Sequence, residues 1–127
     1  MIKSLLLVGL GSCLGGVLRY SISTFVKNSA GGVFPWGTLA VNLIGCFLFG
    51  VVCALFAKYP VQNSGLYLLL TTGVLGGFTT FSAFAHESVG LLQSGNVASF
   101  FCYVGVSVVA GLLLVATGYS LVGCLAK

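Results

Sequence analysis

Apolar residues run along this chain in four long blocks, at 5–25, 36–57, 66–88 and 100–125. Each approaches or exceeds the length of about 20 residues that an α-helix needs to cross the hydrocarbon core of a bilayer. Short stretches of Asn, Ser, Gly, Pro, Gln and Lys at 27–34, 58–65 and 93–96 separate them, and such residues interrupt helices. Pro35 falls at the first turn of the second block, where a helix tolerates it. Trp36 beside it suits the aromatic belt of a membrane surface. The pattern predicts an all-α membrane protein with four transmembrane helices, forming one domain over residues 1–127.

Composition supports this reading. Hydrophobic residues make up 58% of the chain and charged residues 5%, against about 25% charged in a soluble domain. The five basic residues, Lys3, Arg19, Lys27, Lys58 and Lys127, are scattered. They form no basic cluster, which excludes a nucleic-acid surface, and they read as headgroup anchors. Lys3 with the apolar run behind it resembles a signal peptide, but no A-x-A-like cleavage site follows, so the segment is expected to stay as the first helix. Cys13, Cys46, Cys53, Cys102 and Cys124 all lie in apolar stretches without a C-x-x-C pair. They read as small packing residues and not as a metal or disulfide framework.

Four crossings place Lys3, Lys58 and Lys127 on one side and Lys27 on the other, with Arg19 inside the first span. This is a weak bias under the positive-inside rule. The chain is therefore expected to insert in both orientations and to pair as a dual-topology antiparallel homodimer. Gly11 and Gly15, and likewise Gly73 and Gly77, are spaced i, i+4, which lets helix backbones approach closely in lipid.

Polar residues inside spans are costly and mark candidate sites. Thr38, Asn42, Gly45 and Phe49 fall on one stripe of the second helix. Asn42 has two readings, a helix–helix hydrogen bond or an amide donor facing an anion. In the third helix, Gly76-Gly77-Phe78-Thr79-Thr80 is a poor helix former. Either the threonine hydroxyls bond back and the helix bends, or the helix breaks and its carbonyls await a partner, water or an ion. Phe81 and Phe84 share a face, and ring edges can face an anion without holding it by a full charge. Two phenylalanines at this spacing are also ordinary core or lipid-facing residues. Tyr103 and Ser107, four apart on the fourth helix, would make a short line of hydroxyls to which Ser82 could add.

Arg19 and Glu87 are the charges nearest the hydrophobic region. They either snorkel or pair structurally, or Arg19 draws anions to a vestibule. His86 reads as interfacial. No nucleophile–base–orienter set is present, and residues 9–16 fit neither G-x-G-x-x-G nor a P-loop, so no enzyme is expected.

Three pieces, Gly15-Gly16-Val17-Leu18-Arg19-Tyr20, Gly37-Thr38-Leu39-Ala40-Val41-Asn42-Leu43-Ile44-Gly45 and Gly76-Gly77-Phe78-Thr79-Thr80-Phe81-Ser82, occur in order and each in its own span. With them the chain resembles the Fluc (CrcB) fluoride channels over essentially its whole length. The resemblance implies an antiparallel homodimer with two pores in the plasma membrane of a prokaryote. It implies passive fluoride export that lowers cytoplasmic fluoride. It also implies a structural sodium ion at the dimer interface, held by backbone carbonyls at Gly76 and Thr79 of each subunit. Asn42, Phe81 and Phe84 match the family's pore-lining asparagine and phenylalanine box. Tyr103 and Ser107 match its fourth-helix polar track, and Arg19 and Glu87 match charged vestibule positions. Two positions depart from the family pattern: Ala83 stands where a threonine is common, and Gly111 leaves the polar track short. The alternative is a small proton-coupled multidrug transporter. That function needs a carboxylate well inside the bilayer, and the only acid, Glu87, lies towards the end of the third span.

Overall fold

A computed structural model describes residues 1–59 and 64–125. The middle of the second loop, and Lys127 with its expected anchoring role, lie outside the described residues. Four helical spans cover the described chain: Ile2–Ala30, Trp36–Lys58, Gly65–Gln93 and Val97–Leu125. Helix α1 (Ile2–Ala30) runs beyond its expected end and takes in Lys27. Its backbone bonds continue until Gly31 and Gly32, whose φ angles of 64° and 80° favour glycine and stop the helix. The Gly31 N–H donates to the Lys27 carbonyl at 3.1 Å.

Pro35 precedes helix α2 (Trp36–Lys58) instead of sitting in its first turn. Its φ of −81° and ψ of 63° form an inverse γ-turn, closed by the Trp36 N–H donating to the Phe34 carbonyl at 2.9 Å. The Pro35 carbonyl then accepts from Leu39 N–H at 3.1 Å.

The third span is built from pieces. Helix α3 (Ser64–Leu68) leads into a π-helical stretch (Leu69–Leu75), then the short α4 (Gly76–Phe78). Thr79 and Thr80 are extended, and α5 (Phe81–Gln93) completes the crossing. Of the two expectations for this stretch the break is present, and the Thr79 hydroxyl also bonds back to the Leu75 carbonyl as the other expected. The π-helical stretch before the break was not anticipated, because a wider helical turn leaves no compositional mark. Helix α5 ends in a Schellman motif: Gly95 has φ 78°, its N–H donates to Leu92 O at 3.1 Å, and Asn96 N–H donates to Leu91 O at 2.8 Å. Helix α6 (Val97–Leu125) follows at once.

Close crossings hold the bundle together, one of them between α1 and α2, where a Cβ on Gly37 would collide with the Ser23 carbonyl oxygen. The predicted glycine faces of the first and third spans meet each other. A Cβ on Gly11 would stand 2.8 Å from the Gly73 Cα, and one on Gly15 would collide with the Val74 carbonyl oxygen. Helices α2 and α6 cross where a Cβ on Gly118 would collide with the Phe47 carbonyl oxygen. In lipid, where helices gain little from excluding water, such backbone approach is what binds them. Near the α1–α2 loop, Leu39, Leu91 and Tyr103 form a buried cluster flanked by Phe34, Leu43, Phe84 and Phe100. Outward side chains such as Leu10, Val17, Leu112 and Leu113 are exposed, as suits a lipid-facing surface.

Candidate functional site

The break is held from the neighbouring helix. Asn42 in α2 accepts from the Thr80 N–H through Oδ1 at 2.8 Å and donates from Nδ2 to the Thr80 carbonyl at 3.0 Å. Its amide thus replaces both bonds that an extended peptide would otherwise lack inside the bilayer. The Thr80 hydroxyl caps α5 by accepting from the Ala83 N–H at 3.3 Å. The Thr79 N–H and hydroxyl both donate to the Leu75 carbonyl at 3.0 Å.

These bonds bear on whether Gly76 and Thr79 suit a cation. In a continuous α-helix the Thr80 N–H would bond the Gly76 carbonyl, and the Ala83 N–H would bond the Thr79 carbonyl. Both donors are diverted, one to Asn42 and one to the Thr80 side chain. The two carbonyls are released from those helical bonds, and released peptide oxygens are the donors that suit a hard cation such as sodium.

Beside the break a cavity of about 340 Å³ opens as a groove between α2, α5 and α6. Asn42, Gly45, Phe49, Phe81, Phe84 and Ser107 line it, joined by Cys46, Thr79 and Thr80. The Phe81 and Phe84 rings are paired, with centroids 5.6 Å apart and planes tilted by 46°. Phe84 is half-buried, whereas Phe81 is 78% exposed. The Ser107 hydroxyl oxygen is buried without a hydrogen-bond partner. Ser82 is exposed and stands 3.4 Å from the Thr80 hydroxyl. Gly111 is buried on α6 beside Cys46, and a Cβ there would make ordinary contact with the Cys46 sulfur at 3.5 Å.

Tyr103 and Ser107 do not form a shared line of hydroxyls. Tyr103 is fully buried, and its hydroxyl donates to Glu87 Oε2 at 2.8 Å. Thr38 leaves the stripe of Asn42, Gly45 and Phe49 in the same way, donating to Glu87 Oε1 at 2.7 Å. Glu87 is thus tied to α2 and α6 through both oxygens. It shares a second cavity, of about 300 Å³, with Arg19, Tyr20, Ser23, Thr38 and Thr80. The Arg19 Nε is buried there without a hydrogen-bond partner. Thr80 lines both cavities and so forms part of the wall between them.

Sequence reasoning did not assign Thr80, nor Thr38 as a partner of Glu87. A threonine just ahead of the helical run Phe81–Gln93 is the usual N-cap signal and could have found the first. The Thr38–Glu87 contact joins residues 49 apart and has no local signature.

Four apolar spans around a polar break and an uncharged groove define a multi-pass membrane protein. Comparison with known proteins narrows the class. Residues 6–119 match the model of the family described as CrcB-like protein, Camphor Resistance (CrcB). A fluoride-specific ion channel of Phocaeicola vulgatus is 48% identical over 116 residues, covering 91% of this chain and 95% of its own. A protein of the same name from Thermus thermophilus is 44% identical over 124 residues, covering 98% and 97%. Another from Rhizobium etli is 42% identical over 120 residues, covering 94% and 96%. The chain belongs to the CrcB family.

Proposed function

We propose that this chain is the subunit of a fluoride-selective channel that lets fluoride leave the cytoplasm passively, and that it is not an enzyme. The observation that carries the reading is the groove itself: it offers hydrogen-bond donors and aromatic rings but no formal charge. Fluoride is small and strongly hydrated, so its water must be replaced by donors fixed in place. Ser107 has an unpartnered hydroxyl, and Asn42 keeps a second amide N–H beyond the one given to Thr80. The paired rings of Phe81 and Phe84 can turn positive edges towards an anion. Such a weak field allows the ion to leave again. Arg19, in the neighbouring cavity, would raise the local concentration of anions. A proton-coupled transporter is less well supported, because no carboxylate lines the groove and both Glu87 oxygens already accept hydrogen bonds.

The working unit is proposed to be a dual-topology antiparallel homodimer in the plasma membrane of a prokaryote. The outward projection of Phe81 from a groove rim supports a second copy facing it. Gly76 and Thr79 would hold a sodium ion at that interface, where a second chain doubles the set of carbonyls. When bound, the ion would act as a structural link between the two breaks. Production in a bacterium lacking its own fluoride exporter tests the cellular role. Growth in millimolar fluoride should return with the wild type and fail with Phe81→Ile, and no rescue by well-expressed wild type would refute it.

A further inference from the structure

Phe34 was not singled out by the sequence, and it belongs neither to the groove nor to the break. It lies in the α1–α2 loop with its backbone fixed by the Pro35 γ-turn. Its ring meets Trp36 at 4.5 Å and the Tyr103 ring at 5.6 Å, the latter edge-on at 75°. Tyr103 in turn meets Phe84 at 5.1 Å, and Phe84 meets Phe81 at 5.6 Å. A continuous line of rings therefore runs from the loop to the wall of the groove. Phe34 also lines a cavity of about 390 Å³ at the loop, which holds Lys27 and Glu87. It thus helps separate that cavity from the buried Tyr103 ring.

We propose that Phe34 is a positioning residue for conduction: it fixes the Tyr103 ring, and Tyr103 fixes Phe84 against the groove. This rests on the channel reading above. Tyr103 has no exposed surface, so its ring stays in place only while its neighbours fill the space around it. Removing the Phe34 ring would open room beside Tyr103 towards the loop cavity. Tyr103 could then tilt, weakening its bond to Glu87 and withdrawing the backing from Phe84. An aromatic pair adds modest energy beyond simple burial, so the effect on Phe84 should be graded and not absolute.

The test is fluoride efflux from liposomes containing purified wild type, Phe34→Ala, Phe34→Leu and Phe34→Tyr. Phe34→Ala should slow efflux about three- to tenfold, the range that one aromatic pair energy converts to. Phe34→Leu, which keeps apolar bulk and protects against misfolding, should fall between it and wild type. Phe34→Tyr should restore wild-type efflux, since it keeps the ring and can place its hydroxyl in the loop cavity. In a Phe84→Leu background, adding Phe34→Ala should change efflux by less than about twofold, because coupled residues are not additive. Undiminished efflux in both Phe34→Ala and Phe34→Leu would overturn the proposal, as would full additivity with Phe84→Leu. Wild type that releases no fluoride would instead overturn the channel reading, so the two failures are distinct.

Discussion

The Tyr103 hydroxyl on α6 donates to Oε2 of Glu87 on α5 at 2.8 Å, while Thr38 on α2 satisfies the other oxygen at 2.7 Å. The chain's single acid is thus the knot that ties three helices together. A carboxylate in a span is costly unless its oxygens are bonded, and both are. Tyr103→Phe should therefore lower stability by roughly 1.5–3 kcal/mol, the usual worth of a hydrogen bond to a charged group. Glu87→Gln should cost less than Glu87→Ala, since an amide can still accept from Thr38 or Tyr103 through its remaining oxygen. Thermal unfolding in detergent checks the order, and equal loss in Gln and Ala variants would contradict it.

Asn42 separates stability from conduction. Asn42→Ala leaves the Thr80 N–H and carbonyl unpaired, each costing roughly 1–3 kcal/mol, so the purified protein should melt at lower temperature. Asn42→Asp keeps an acceptor for the Thr80 N–H but loses the donor to its carbonyl and brings a negative charge to the groove. It should lose stability as Asn42→Ala does, and its fluoride flux should fall below that of Asn42→Ala because the added charge repels the anion. Melting curves and efflux, measured on the same preparations, give both readings.

Glycine at the helix crossings is a matter of space. Gly15→Ala would push a methyl group into the Val74 carbonyl, and Gly118→Ala into that of Phe47. Overpacking costs typically about 1–3 kcal/mol, so each should reduce stability and yield. Gly9→Ala on α1 meets nothing within 4 Å and serves as the control, expected to match wild type.

If Gly76 and Thr79 hold sodium, the folded protein should be stabilised by that ion through mass action. The melting temperature should rise with sodium chloride and stay flat when N-methylglucamine replaces sodium at equal ionic strength. Identical curves in the two salts would remove sodium from the account while leaving the groove untouched.

The spans were legible because a bilayer crossing needs a long apolar run, and Gly76-Gly77 followed by Thr79-Thr80 marked a bend or a break through poor helix propensity. The glycine pairs of the first and third spans could also be read from spacing, whereas their facing each other comes only from the fold. Other features depend on distant neighbours. Tyr103 and Ser107 share a helical face by periodicity, yet the Glu87 carboxylate draws the Tyr103 hydroxyl away from the groove. The end of α1 ran on to Ala30 because Lys27 and Asn28 are tolerated in a helix outside the hydrocarbon core, and only Gly31 and Gly32 turn it. Phe34 was invisible because a loop residue has no period, and only the fold brings its ring to Tyr103.

The central claim, passive and selective fluoride conduction through the groove beside Asn42 and Phe81, is tested most directly by ion efflux from proteoliposomes. Wild type and Phe81→Ile would be loaded with fluoride or chloride and held without a proton gradient, with release followed by ion-selective electrodes. The account predicts rapid fluoride release by wild type, little chloride release, and strongly reduced fluoride release by Phe81→Ile. Chloride released as fast as fluoride, or fluoride released only when a proton gradient is imposed, would contradict it.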